Sequence, residues 1–551
     1  MNISRSPIFD ISDEFIQKCA ELSPILASNL GITGFDGQLD DYSYAHAERT
    51  AEYLKDVLAR LVKLDPQDEI DRIAKFVLSE RIESKLDLHA SLERYATFSV
   101  ISSPAGSIRE AFSLMPTESP TEIANVAARL AAVDSSLNSW KSLVEYTYDL
   151  GARTSKRQVL GVADQLLTHS QGSYSEFAQS IDPEGRYPEL HLSARAAEVA
   201  CKEMGDWLRE VHAPRSSQAD GVGEERYLKW ARYYSGATID LRETYDWGRA
   251  DLARINARMW EIARTLVPEA QSLAEVAEHL ENSPMHRIEG EAALVAELLK
   301  FTEASISKLD GIYFEIDPRI KFCDARIAPE GTAAAPYYIS PSEDLSRPGT
   351  TWYPTLGEES FNFWHIASTW YHEAIPGHHL QIGVAILEKD RLSRFQRTEA
   401  WTSGYGEGWA LYAERLMNEL GAFEDPAFEM GYLAGQALRA ARIVVDIGMH
   451  LGYLDENGEV WNAESAFNLL VEKALQTPAM ARSEVERYLG WPGQAISYKL
   501  GEKYWLEIRE AAKVRLGESF SLKNFHSYAL KIGPMGLDSL RDEMALWEGN
   551  P

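Results

Sequence analysis

Apolar residues recur at helical spacing through most of the first 210 positions of the chain. Between 123 and 150, Val126, Leu130, Leu137, Trp140, Leu143 and Val144 stay near the helical period that gathers side chains on one face. Segments 155–167 and 192–211 carry the same pattern and predict further helices. The run 212–225, with Pro214, Ser216, Ser217, Asp220, Gly221 and Gly223, is polar and turn-forming. It suggests an N-terminal helical part, 1–215, and a C-terminal helical part, 226–551, both belonging to one continuous fold. Helix resumes over 240–266, where Leu252, Ile255, Met259, Ile262 and Leu266 form a stripe best read as core.

Between 311 and 354 the period changes. Segments 312–316 and 335–340 are short, aromatic and β-branched, bounded by Pro, Gly and Asp, and predict strands. Pro336 and Pro341 suit an edge strand; an irregular loop over packed tyrosines fits as well. Helix returns over 361–394 and 399–420. The fold class is therefore mainly α with a small β insert, without a fixed-period repeat.

Composition narrows the function. The chain has 551 residues, enough for a large core, and 45% of them are apolar. A formal net charge of −29 argues against a nucleic-acid groove or an anionic membrane surface as partner. Cys19, Cys201 and Cys323 are scattered, which fits a reducing compartment and offers no thiolate metal site. The first ten residues lack the basic start and apolar core of a signal peptide, and no apolar run reaches membrane-spanning length. The expected location is the cytoplasm.

Candidate chemistry concentrates in Tyr371-His372-Glu373-Ala374-Ile375-Pro376-Gly377-His378-His379-Leu380-Gln381. In an H-E-x-x-H helix, histidines at i and i+4 share a face and hold a metal, while the glutamate polarises a water. Here Pro376 occupies the position of the second histidine. On a straight helix, a residue six positions on is rotated by about 240°, and one seven on lies roughly 10 Å along the axis. Neither His378 nor His379 would then meet His372. Pro376 removes an N–H and clashes with the His372 carbonyl, and Gly377 adds backbone freedom, so the helix must kink or open there. Such an opening would bring His378 back toward His372. The plainer alternative is a helix that ends at Pro376, followed by two surface histidines. The apolar flanks Phe361, Phe363, Trp364, Ile366 and Trp370, then Ile382, Val384, Ile386 and Leu387, favour burial.

A third ligand is offered by Glu407, set between Gly406 and Gly408 in Ser403-Gly404-Tyr405-Gly406-Glu407-Gly408-Trp409-Ala410-Leu411-Tyr412. This segment resembles the Glu-Gly-Phe-Ala stretch that supplies the glutamate ligand in M1-type aminopeptidases. Glu414, two turns beyond on the same face, could orient a ligand histidine. A solvated acid at a helix start is the competing reading for Glu407.

Three ordered motifs now stand together. They are His372-Glu373-x-x-Pro376-Gly377-His378-His379-Leu380-Gln381, Glu407-Gly408-Trp409-Ala410-Leu411-Tyr412-x-Glu414, and Arg487-Tyr488-x-x-x-Pro492-Gly493-Gln494-Ala495-x-x-Tyr498-Lys499-x-Gly501. They resemble the bacterial domain-of-unknown-function family 885 across nearly the whole chain. The resemblance implies a large helical zinc-peptidase-like fold with a deep cleft, akin to the neurolysin-like and ACE-like enzymes. It implies one Zn2+ held by His372, His378 and Glu407, with Glu373 as general base and His379 as the alternative to His378. In the third motif, Tyr488 and Tyr498 are candidate donors to a developing oxyanion, and Arg487 or Lys499 could hold a substrate carboxylate.

The expected activity is zinc-dependent hydrolysis of peptide bonds, with short peptides as substrates. Two other readings stay open: a zinc hydrolase of non-peptide amides or esters, and a non-enzymatic helical binding protein.

Overall fold

A computed structural model describes residues 6–329 and 335–550 of the chain. Residues 1–5, on which the reading of the N-terminus partly rests, lie outside the described residues. The chain is mainly helical, with five short strands among the described residues. It divides into two compact units, residues 1–229 with 486–492, and residues 230–485 with 493–551.

The first unit is an all-helical body. Its core gathers Val126, Leu130, Leu137, Val159, Val162, Leu166, Ala194 and Cys201 from helices Pro120–Ala131, Val133–Asp149, Lys156–His169 and Pro188–Trp207. The single helix expected over 123–150 is two helices, separated at Ala132. Leu130, Val133 and Leu137 are all buried across that corner, so the apolar period runs through it undisturbed. Periodicity alone could not reveal the break.

The second unit carries the predicted site. Its helices are α1 (Leu241–Leu266), α2 (Phe363–Glu373), α3 (His378–Leu387), α4 (Ser403–Glu419), α5 (Pro426–Leu451) and α6 (Ser497–Leu516), with shorter ones around them. Helix α5 packs along α1 and α2, and α4 packs along α6 and α2. Five strands, β1 (Arg287–Glu289), β2 (Asp324–Ile327), β3 (Tyr337–Ile339), β4 (Thr350–Tyr353) and β5 (Ser360–Asn362), make two small sheets. In one, β1 and β5 pair antiparallel, with Ile288 opposite Phe361. In the other the order is β2-β4-β3, with β2 parallel and β3 antiparallel to β4.

The strand expected over 335–340 is therefore β3, at a sheet edge. The strand expected over 312–316 is instead a turn. Gly311, at φ +74°, donates to the Phe314 carbonyl, and Tyr313 donates to Leu309 at the end of helix Glu291–Leu309. Ile312 points outward at 62% exposure, so a β-branched residue there packs against nothing that would hold a strand. Among the described residues, no helix is long and apolar enough to cross a membrane.

Glycines set the spacing between α4 and α6. A Cβ on Gly408 would lie 2.5 Å from the Gly501 Cα, and one on Gly501 would lie 2.1 Å from the Gly404 carbonyl oxygen. The two backbones touch, and no flexible side chain stands between them to yield. We expect Gly501→Ala to push the helices apart at a cost of about 2–4 kcal/mol. Thermal unfolding should fall by at least about 5 °C; an unchanged midpoint would show that the seam can open without cost.

Candidate metal centre

Every residue from Trp370 to Gln381 is buried, so the histidines after Pro376 are not surface groups. Helix α2 ends at Glu373, the Ile375–Pro376 peptide is cis, and α3 begins at His378. The interruption expected at Pro376-Gly377 is thus a full break between two helices. The chain folds tightly over the last turn of α2: a Cβ on Gly377 would lie 1.8 Å from the His372 carbonyl oxygen and 2.4 Å from that of Tyr371. Only glycine fits there. The break is also hydrogen-bonded. The His379 N–H donates to Ala374, and the buried Trp409 indole donates to the carbonyls of Pro376 and Gly377 at 2.9 and 3.3 Å.

The break brings His378 to His372, with ring centroids 4.8 Å apart and planes at 89°. Glu407, on the second turn of α4, completes the group. His372 Nε2 lies 3.2 Å and His378 Nε2 lies 3.5 Å from Glu407 Oε2. One donor atom from each of the three residues falls within 4.8 Å of the others. Donors about 2.0–2.1 Å from a tetrahedral zinc stand about 3.3 Å apart, so the two separations from Glu407 fit one small divalent ion.

Glu414 sits behind His372. Its Oε1 accepts from His372 Nδ1–H at 2.8 Å, and its Oε2 accepts from the Ser368 hydroxyl at 2.5 Å. This fixes the ring and directs Nε2 toward Glu407, the arrangement by which an outer carboxylate orients a ligand histidine. Ser368 was not singled out from sequence, although it lies one helical turn before His372 on the same face.

His379 takes no part in the cluster. Its Nε2–H donates to the Ile320 carbonyl at 2.8 Å, and its Nδ1 accepts from the Tyr338 hydroxyl at 2.9 Å. With both ring nitrogens used, and with burial depressing its pKa to about 4, it is a neutral tie between α3, the segment before β2 and the β3 edge strand.

The electrostatics follow from burial and from charges sharing one space. For His372 burial favours the neutral ring, yet hydrogen bonds to Glu407 and Glu414 and the charge of Glu373 lift it to about 9. Burial pushes Glu407 and Glu414 upward as well, but hydrogen bonds from His372, joined at Glu407 by His378, hold both below the usual carboxylate range. Glu373 differs. Burial raises it, and the nearby imidazoles recover only part of the shift.

The third motif is distributed. Tyr488 and Arg487 belong to the first unit, where the phenol is fully buried and the guanidinium lies 4.9 Å over its ring. Tyr498 belongs to the second unit, half-buried, with the Arg442 guanidinium 4.5 Å over its ring. Lys499 is 1% exposed and is held by Gln436, Glu502 and Asp251, so it has no free donor to offer a carboxylate. Sequence reasoning missed Trp401 altogether. Its ring is 45% exposed, stands 5.7 Å from His378, and fills the space a side chain at Gly406 would need. Nothing in its local pattern marked it out.

Comparison with known proteins agrees with the fold. A family model described as "Bacterial protein of unknown function (DUF885)" matches residues 24–544, and the chain belongs to that family. The structure resembles that of a "putative lipoprotein" from Colwellia psychrerythraea, with 21% identity, 98% of each chain covered and a TM-score of 0.81. It also resembles a "putative lipoprotein of unknown function" from Shewanella oneidensis, with 19% identity, 98% of this chain and 100% of that chain covered, and a TM-score of 0.77. No curated protein matches the chain.

The role of Glu414 is open to direct measurement. Glu414→Ala leaves the buried His372 Nδ1–H without an acceptor and should cost about 2–4 kcal/mol of stability by denaturant unfolding. Glu414→Gln keeps a carbonyl acceptor and should cost less. Equal losses in the two variants would show that shape rather than hydrogen bonding matters at this position.

Proposed function

We propose that this member of the DUF885 family is a zinc-dependent hydrolase of amide bonds in short peptides. The observation that carries the reading is the convergence of His372, His378 and Glu407 at donor separations that suit one ion, with Glu373 next in sequence to a ligand. A bound divalent cation would supply Lewis acidity toward the substrate carbonyl and a water acidified toward neutral pH.

The chain's own residues do the rest. Glu373 takes a proton from the attacking water and later delivers it to the leaving amine. Its raised pKa suits that exchange, because a carboxylate closer to neutrality both accepts and returns a proton readily. Glu414 keeps His372 in the tautomer that presents Nε2. The Tyr498 phenol is the proposed donor to the developing oxyanion within the second unit.

Metal analysis tests the foundation. Protein purified without chelator should hold close to one transition-metal ion per chain, and Glu407→Ala should lose most of it; a metal-free chain that ignores added zinc would end the proposal. Glu373→Gln should keep the metal and lose at least about 10³-fold in turnover on an unbiased peptide library. Hydrolysis confined to a parallel panel of non-peptide amides and esters would keep the metal site and replace the substrate class.

A further inference from the structure

The cations around the site in the second unit are almost all spent on carboxylates. Arg415 pairs with Glu502, Arg442 with Glu484, Arg509 with Glu419, and Lys499 with Glu502 and Asp251. Arg439 on α5 differs. Its only hydrogen bond among the described residues is a long one, from Nη1 to the Gly435 carbonyl one turn back at 3.3 Å. Its Nε is buried without a partner. A guanidinium carries five donors, and leaving them unmet in a half-buried position is costly.

Its location follows from helix register. On α5, Gly431 rests against the backbone of Trp364 and His365 at the start of α2, where a Cβ would lie 2.1 Å from the Trp364 carbonyl oxygen. One turn later, a Cβ on Gly435 would stand 3.8 Å from Glu414 Oε2, the atom bonded to Ser368, and 3.1 Å from Arg439 Nη1. Arg439 is two turns beyond Gly431, as His372 is two turns beyond Trp364. The guanidinium therefore stands beside the end of α2, close enough for its charge to act on both Glu373 and Glu414. It forms no ion pair with either one. If it existed to neutralise Glu414, it would be bonded to it.

We infer that Arg439 receives the free α-carboxylate of the substrate, so that the chain removes residues from the C-terminal end of short peptides or N-acyl amino acids. This rests on the proposed function and specifies its substrate. Arg439 stands beside the end of α2, where Glu373, the group that serves the leaving amine, also lies, so the anion it holds belongs to the leaving half. Water adds to the acyl carbon, the C–N bond breaks, and Glu373 passes the water's proton to the nitrogen. The products are a carboxylic acid and an amino acid whose carboxylate remains on Arg439. The fork geometry of arginine matches such a carboxylate with two parallel bonds.

The test uses the full-length, metal-loaded chain and a set of N-benzoyl dipeptides, each offered as free acid and as C-terminal amide. The free acids should be favoured by at least about tenfold in kcat/KM, the scale of one charge-assisted pair. Arg439→Met should bring the two forms to within about twofold, chiefly by raising KM for the acids, and Arg439→Lys should recover part of the preference. Circular dichroism and metal content equal to the parent would exclude misfolding as the cause. Turnover that ignores the C-terminal charge, or a preference that survives Arg439→Met, would overturn this inference while leaving the metal hydrolase intact. A chain that binds no metal, or a loaded chain that cleaves neither form, would overturn it together with the peptide reading.

Discussion

The His372 ring, clamped between two carboxylates on one helix, sets the terms for the second unit. Glu414 is buried and Glu407 nearly so, and a desolvated carboxylate without a partner costs several kcal/mol. Each is satisfied only while α4 lies close against α2, because His372 faces both at 3.2 and 2.8 Å. The seams on either side of that contact are closed by small residues. Gly404 and Gly408 let α4 touch α6 backbone to backbone, Gly406 makes room for Trp401, and Gly431 lets α5 rest on the first turn of α2. The glycines around Glu407 thus serve packing against α6 and Trp401.

The broken motif answers the same constraint from the other side. One unbroken helix can present histidines four residues apart on one face, but it cannot turn the next histidine to a different task. Ending α2 at Glu373 and starting α3 at His378 separates the two jobs. His378 turns its ring at right angles to His372 within the cluster, while His379 ties α3 to Ile320 and Tyr338. The cost is a backbone reversal with no room for a side chain at Gly377. Trp409, two residues past Glu407, donates to the carbonyls that the reversal leaves open, so the helix that carries Glu407 also supports the break.

Much of this was legible in the chain because it depends on local chemistry. A proline at the fifth position of a helical His-Glu motif has to break the ladder, and a glycine after it has to absorb the bend. The mainly helical class, α1, the edge strand near Tyr338 and the grouping of His372, His378 and Glu407 could be read from neighbouring residues. What could not be read depends on contacts distant in sequence. The corner at Ala132 hides inside an unbroken apolar period, and β2 and β4 are four-residue strands defined only by their pairing. The segment 312–316 has strand-forming residues but closes a turn onto Asp310 and Leu309 instead of joining a sheet. The use of His379 could not be known before Tyr338 and Ile320 were placed beside it, and the third motif gave no sign that Lys499 is fully engaged with Glu502, Gln436 and Asp251.

The charge count in the site binds the two proposals together. Glu373, Glu407 and Glu414 bring three negative charges into a space from which water is largely excluded. Arg439 brings one positive charge, and a divalent ion at the three donors would bring two, which makes the set neutral. Neither cation suffices alone. Without the ion, the imbalance is relieved by a proton on His372, which is why that ring is lifted to about 9 despite being buried. An arginine that pairs with no carboxylate but whose charge is needed is already part of the electrostatic balance before any ligand arrives. Its donors can then be given to an anion without breaking an ion pair.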